Sequence, residues 1–98
     1  MSVVLDEHIT EQHGIGIPVT FSTDLWERIG GEETRMLDVA RILESARQAF
    51  EEVLEPVLQF LAPIHGSMTT LVGRVSRERG ESVMTITLDP GETPHLSG

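Results

Sequence analysis

From Thr34 onward the apolar residues fall at Met36, Val39, Leu43, Ala46, Phe50, Val53, Val57 and Phe60. The steps alternate between three and four, which predicts one sustained helical stripe. A second row, Leu37, Ala40, Leu54, Leu58 and Leu61, widens it. Glu32 and Glu33 stand at its start, where the helix dipole favours carboxylates. A helix over 34–55 is about 30 Å long. Pro56 removes one hydrogen bond, and the stripe keeps phase through Val57 and Phe60. The expectation is therefore a helix kinked at Pro56 that ends before Pro63, followed by a loop over 62–67. The same stripe is compatible with a coiled coil, although its length is marginal for one.

The pattern changes period after residue 67. TTLVGRVSRERGESVMTITL alternates as two strands do, with Arg79-Gly80 at the turn. In that register Leu71 faces Leu88, Gly73 faces Ile86 and Val75 faces Met84 on one side. Val72–Thr87, Arg74–Thr85 and Ser76–Val83 share the other, mostly polar side. A one-residue slip would oppose apolar and polar positions throughout, so this register is favoured. The loop itself has two residues or four. Nearer the N-terminus, residues 5 to 13 suit a short helix closed by Gly14. Val19 to Phe21 suits a short strand, and Ser22 or Thr23 caps a helical turn, DLWERI, ended by Gly30-Gly31.

These elements predict an α+β fold: a long kinked helix packed on a small antiparallel sheet, the C-terminal hairpin plus a short N-terminal strand. Ninety-eight residues form a single domain. It is expected over 1–89, with a flexible tail over 90–98.

Composition narrows the function. There is no cysteine, which excludes disulfides, zinc–thiolate sites and thiol catalysis. All seven basic residues are arginine, a compositional mark of a GC-rich genome, and sixteen acids give a net charge of −9. Such a chain is repelled by nucleic acid and anionic lipid, and its complementary partners are basic protein surfaces. The bland reading is that the charge only keeps the domain soluble. The acidity belongs to residues 1–61, which are net −8, against −1 for the remainder. Neither a signal peptide nor a membrane span is visible, so the cytoplasm is the expected compartment.

No chemistry-bearing motif emerges. His8 and His13 are five residues apart, which does not place them on one helix face, so neither a metal nor a cofactor is expected. His13-Gly14-Ile15-Gly16 precedes a proline instead of opening a helix and lacks phosphate-loop geometry. Ser22, Thr23 and Ser67 have no evident base, and the chain is expected not to be an enzyme. Trp26 reads as a core plug whose N–H bonds a backbone carbonyl, with an interface anchor as the alternative. The distinctive surface is the acidic one. Asp38, Arg41, Glu44, Arg47, Gln48, Glu51, Glu52 and Glu55 are assigned to the outside of the long helix. Asp38–Arg41 and Arg47–Glu51 would neutralise part of it. The remaining carboxylates, Glu27, Glu32, Glu33, Glu51, Glu52 and Glu55, are the candidate partner-binding residues.

Gly14-x-x-x-Pro18-Val19, Trp26 at the ninth position from that proline, Arg35-x-x-Asp38-Val39 and the terminal run Val83-Met84-Thr85-Ile86-Thr87-Leu88 form a recurring set. Over roughly residues 4–90 this resembles an uncharacterised family, a domain of unknown function in small proteins of phages, plasmids and GC-rich bacteria. The chain departs from that pattern at Leu37 and Arg41, where the family has aromatics, and residues 54–64 have no counterpart. The resemblance implies a mobile-element context and transfers no functional residue. With the charge, it leads to the expectation of a small acidic inhibitor that docks on a basic surface of a host nucleic-acid machine, a CRISPR effector being one such machine. The alternatives are a homodimeric accessory protein, joined by the wet hairpin face or the helix stripe, and a small enzyme.

Overall fold

The computed structural model describes residues 2–52 and 55–90, with only the backbone of residues 2, 32 and 33. In order, the elements are β1 (Ser2–Val4), α1 (Glu7–Gln12), β2 (Val19–Ser22), α2 (Thr23–Ile29), α3 (Glu32–Glu52), β3 (Val57–Ile64), β4 (Ser67–Glu78) and β5 (Glu81–Leu88). The strands form one five-stranded sheet in the order β1-β2-β5-β4-β3. This is an α+β fold with helices on one face of the sheet and, among the described residues, the other face open.

The caps follow from residue chemistry. Asp6 accepts from the His8 N–H at the start of α1. Ser22 accepts from the Leu25 N–H at the start of α2. Gly14, just past α1, and Gly30, closing α2, both have positive φ (73° and 53°). The β4–β5 hairpin has the expected register throughout, from Leu71↔Leu88 to Glu78↔Glu81. That pairing leaves a two-residue loop, with φ of 53° at Arg79 and 81° at Gly80, as a type I′ turn requires.

Three expectations are overturned. No kinked helix continues through Pro56: residues 57–64 are a strand, β3, paired antiparallel to β4 along its whole length. The apolar run VLQFLAPI satisfies a three-four step at Val57 and Phe60. It equally satisfies a two-residue period at Leu58, Phe60, Ala62 and Ile64, and pairing with β4 selects the latter. Val53 and Leu54 lie outside the described residues. The loop expected over 62–67 shrinks to His65-Gly66, because β3 runs to Ile64 and β4 starts at Ser67. The sheet is mixed, not purely antiparallel, since β2 pairs with β5 in parallel, Phe21 opposite Ile86. β1, with no counterpart in the sequence reading, adds the outermost strand beside β2.

The core lies between the helices and the sheet. Phe21, Leu25, Ile29, Ile42, Leu43, Leu71 and Ile86 are fully buried. On α3 the buried stripe is Val39, Ile42, Leu43 and Ala46, whereas Met36 and Leu37, read as core, are 54% and 51% exposed. Gly73 is positioned by packing. A Cβ there would stand 2.8 Å from the Phe50 ring and 3.2 Å from Phe60. Its bare Cα lets two phenyl rings close over the middle of β4.

Candidate functional site

Elementary electrostatics picks out the end of α3. Its last turn holds Glu51 and Glu52 and no basic residue. The helix dipole opposes carboxylates there, at about 0.3–1 kcal/mol each. Both are exposed, as is Glu55 just beyond the helix. Glu51 has a cation: Arg47 Nη1 donates to its Oε1 at 3.0 Å. The other guanidinium nitrogen of Arg47 donates to Glu44 at 3.0 Å, and His13 Nδ1 lies 3.4 Å from the same carboxylate. The Arg47 hydrogen bond, then the His13 contact, holds the Glu44 carboxyl below the usual carboxylate range. The contribution to stability is therefore present above the ordinary carboxylate value and is lost as pH falls through the lowered one. Arg47 is correspondingly raised by Glu44 and Glu51. A shallow polar basin of about 320 Å³ opens beside this network, lined by Gln12, His13, Gly14, Glu44, Arg47 and Glu51.

Of the six candidate carboxylates, Glu51 and Glu52 lie in the last turn of α3 and Glu55 three residues beyond its end. Glu27 belongs to α2 and is exposed near the opposite end of α3, about 30 Å away along a 21-residue helix. Glu32 and Glu33 open α3, and their side chains lie outside the described residues. The set is thus two groups, not one patch.

Asp38 is the residue that the sequence reading wrongly assigned to the outside of α3. It is buried, with 2% of its surface exposed, and it makes no pair with Arg41 on the outer face. Its Oδ1 accepts from the His65 backbone N–H at 3.4 Å. Its Oδ2 lies 3.7 Å from His65 Nδ1 and has no hydrogen-bond partner among the described residues. The imidazole is half-exposed, and His65 has a φ of 52° in the two-residue β3–β4 turn. The geometry ties that turn to α3. A sequence signal existed: Asp38, Ile42 and Ala46 are spaced by four, so the aspartate occupies the buried stripe. The cleft between α3 and β3 is lined by Ala40, Arg41, Glu44, Ser45 and Pro63, and includes neither Asp38 nor His65.

Trp26 is half-buried against the core, edge-on to Phe21 at 6.4 Å and 61°. The Arg35 guanidinium lies 4.8 Å from its ring centre, while Arg35 Nε donates to the Gly30 carbonyl at 3.2 Å. Trp26 is therefore a plug whose polar partner is a cation on its face. Among the described residues no carbonyl accepts from its indole N–H.

The open sheet face differs in kind. The registers align Val57, Arg74, Thr85, Thr20 and Val4 across all five strands. A trough of about 470 Å³ runs beside this row, lined by Val72, Arg74, Ser76, Glu78, Thr85 and Thr87. Among the described residues no three histidine, aspartate or glutamate side chains converge as metal ligands do. No described helix is long and apolar enough to cross a membrane. Compared with known proteins, the chain matches no family model, no curated protein and no solved structure.

Proposed function

We propose that this chain is a small, non-enzymatic binding protein of a phage or mobile element. It engages a basic protein surface through the carboxylates at the end of α3. One observation carries the reading. Glu51 and Glu52 occupy a helix terminus where the dipole disfavours them, and Glu55 extends the cluster into solvent. Arg47 offsets the penalty at Glu51, but a carboxylate where it costs stability, as at Glu52, suits a recognition role better than a solubilising one, which any exposed position would serve. A row of carboxylates can occupy the phosphate path of an arginine-lined groove, so the target class is a nucleic-acid-binding effector. Association through such charges is fast and salt-sensitive.

The test is capture from a bacterial host lysate at low and at high salt, with captured proteins identified by mass spectrometry. The expected result is a nucleic-acid-binding protein retained at low salt, released at high salt, and lost in the triple variant Glu51→Gln, Glu52→Gln, Glu55→Gln. Retention by the triple variant would remove the acidic end from the interface. The helix itself supplies an independent check. Glu52→Gln is expected to raise stability by a few tenths of a kcal/mol to about 1 kcal/mol while weakening capture. A second reading, a homodimeric accessory protein, is favoured by a separate feature, the edge of β3, which nothing pairs with among the described residues.

A further inference from the structure

β3 is the last strand of the sheet, and among the described residues nothing pairs with its outer edge. Which backbone groups are free can be deduced. The Val75 N–H donates to the Pro56 carbonyl at 2.8 Å, so even-numbered positions along this strand direct their backbone groups at β4. In an antiparallel ladder that direction alternates residue by residue. The odd-numbered residues therefore face outward. Among the described residues, Val57, Gln59 and Leu61 each present a free backbone N–H and C=O, and Pro63 presents a C=O alone.

Edge strands of monomeric proteins are usually guarded by charged side chains, bulges or proline. β3 has no charged residue in its eight positions, VLQFLAPI, in a chain of which 23% of residues are charged. Its outward-bonding residues also carry exposed apolar side chains: Val57 is 43% and Leu61 54% exposed. Pro63 guards only the far end.

We propose that β3 pairs antiparallel with β3 of a second copy of this chain, centred on Gln59. In that register Val57 of one copy lies opposite Leu61 of the other, and Gln59 lies opposite itself. All three outward N–H groups on each strand then find carbonyls, making six hydrogen bonds. Pro63, which has no N–H to offer, falls just outside the paired block. The apolar pair Val57–Leu61 occurs twice on the open face, related by the two-fold axis. Two chains of net charge −9 meet here along a strand that carries no carboxylate of its own, the nearby Asp89 carboxylate being bonded to the Gln59 side chain. Backbone self-complementarity and neutrality together favour a second copy over a charged foreign strand.

The experiment is sedimentation or light scattering of the full chain over a range of concentrations. Wild type is expected to shift from monomer to dimer mass as concentration rises. Gln59→Pro removes one outward N–H, no bond to β4 and one exposed side-chain bond to Asp89, so it is expected to remain folded by circular dichroism and to stay monomeric. Leu61→Lys, which introduces the missing edge charge, is expected to do the same. The register has its own readout. Residues opposite themselves in a hydrogen-bonded pair have Cα atoms about 5.5 Å apart, within disulfide range. The chain has no cysteine of its own, so Gln59→Cys alone should cross-link on oxidation. Val57→Cys alone should not, because its two copies lie about 13 Å apart along the strands. A wild-type chain that is monomeric at every concentration overturns the pairing and leaves the edge to a strand of another protein. So does a folded Gln59→Pro variant that still dimerises, or cross-linking by Val57→Cys as efficient as by Gln59→Cys.

Discussion

The two hairpins that share β4 close with nearly identical turns and have opposite surroundings. His65-Gly66 joins β3 to β4 with φ of 52° and 80°; Arg79-Gly80 joins β4 to β5 with 53° and 81°. The first turn is tied to α3, its backbone N–H on the buried Asp38. The second projects into solvent among exposed Arg77, Glu78, Arg79 and Glu81. Turn geometry alone therefore does not decide how a hairpin is held. One depends on a tertiary anchor, while the other is sustained by its own ladder and by packing of the strand interiors.

The largest expected effect separates these at the core. Phe60, buried on β3, stands against Gly73 and lies beside Phe50. Phe60→Ala is expected to cost about 3–5 kcal/mol, read from urea unfolding. A loss below about 1 kcal/mol would mean that β3 is not seated on the core as described. Next comes the anchor. Asp38→Ala strips the His65 N–H of its acceptor and is expected to cost about 1–3 kcal/mol. Amide exchange should accelerate at His65 and not at Arg79. Glu81→Gln, at the free tip, is expected to stay within about 0.5 kcal/mol of wild type. If the two substitutions cost the same, the contrast between the hairpins collapses. The smallest difference is expected at the turn glycines. Gly66→Ala and Gly80→Ala each force a Cβ into a left-handed position, and should cost a similar amount, about 1–2 kcal/mol. Nothing else lies within 4 Å of the added carbon at either site. A markedly larger cost at Gly66 would show that the anchored turn cannot shift to relieve the strain, which would sharpen the distinction.

The same contrast explains what the sequence could disclose. The β4–β5 register was legible because the two sides of that hairpin differ, and Val75–Met84 and Arg74–Thr85 cannot exchange faces. β3 was not, since an apolar run of eight residues fits a helical and a strand period equally well; only its pairing with β4 decides. The caps at Asp6 and Ser22 depend on neighbours two and three residues away, so local reasoning reached their helices. The parallel pairing of β2 with β5 joins residues 65 positions apart, as in Phe21 with Ile86, and no local signal specifies it. Among the site residues, Glu51, Glu52 and Glu55 were found by charge alone. Asp38 was assigned to solvent because a carboxylate outweighed its place in the buried stripe.

Every described helix lies on the same side of the sheet, and this has a geometric consequence for any larger assembly. A two-fold axis midway between two paired β3 strands, beside Gln59, would stand normal to the sheet and could not turn either copy over. The joined sheet would have ten strands, with both helical layers, and both acidic α3 ends, displayed toward one half-space. Such an object would be a one-sided plate, able to meet a flat or repeating target with two matched contacts while its reverse carries mainly threonine and valine, with Arg74 once in each copy.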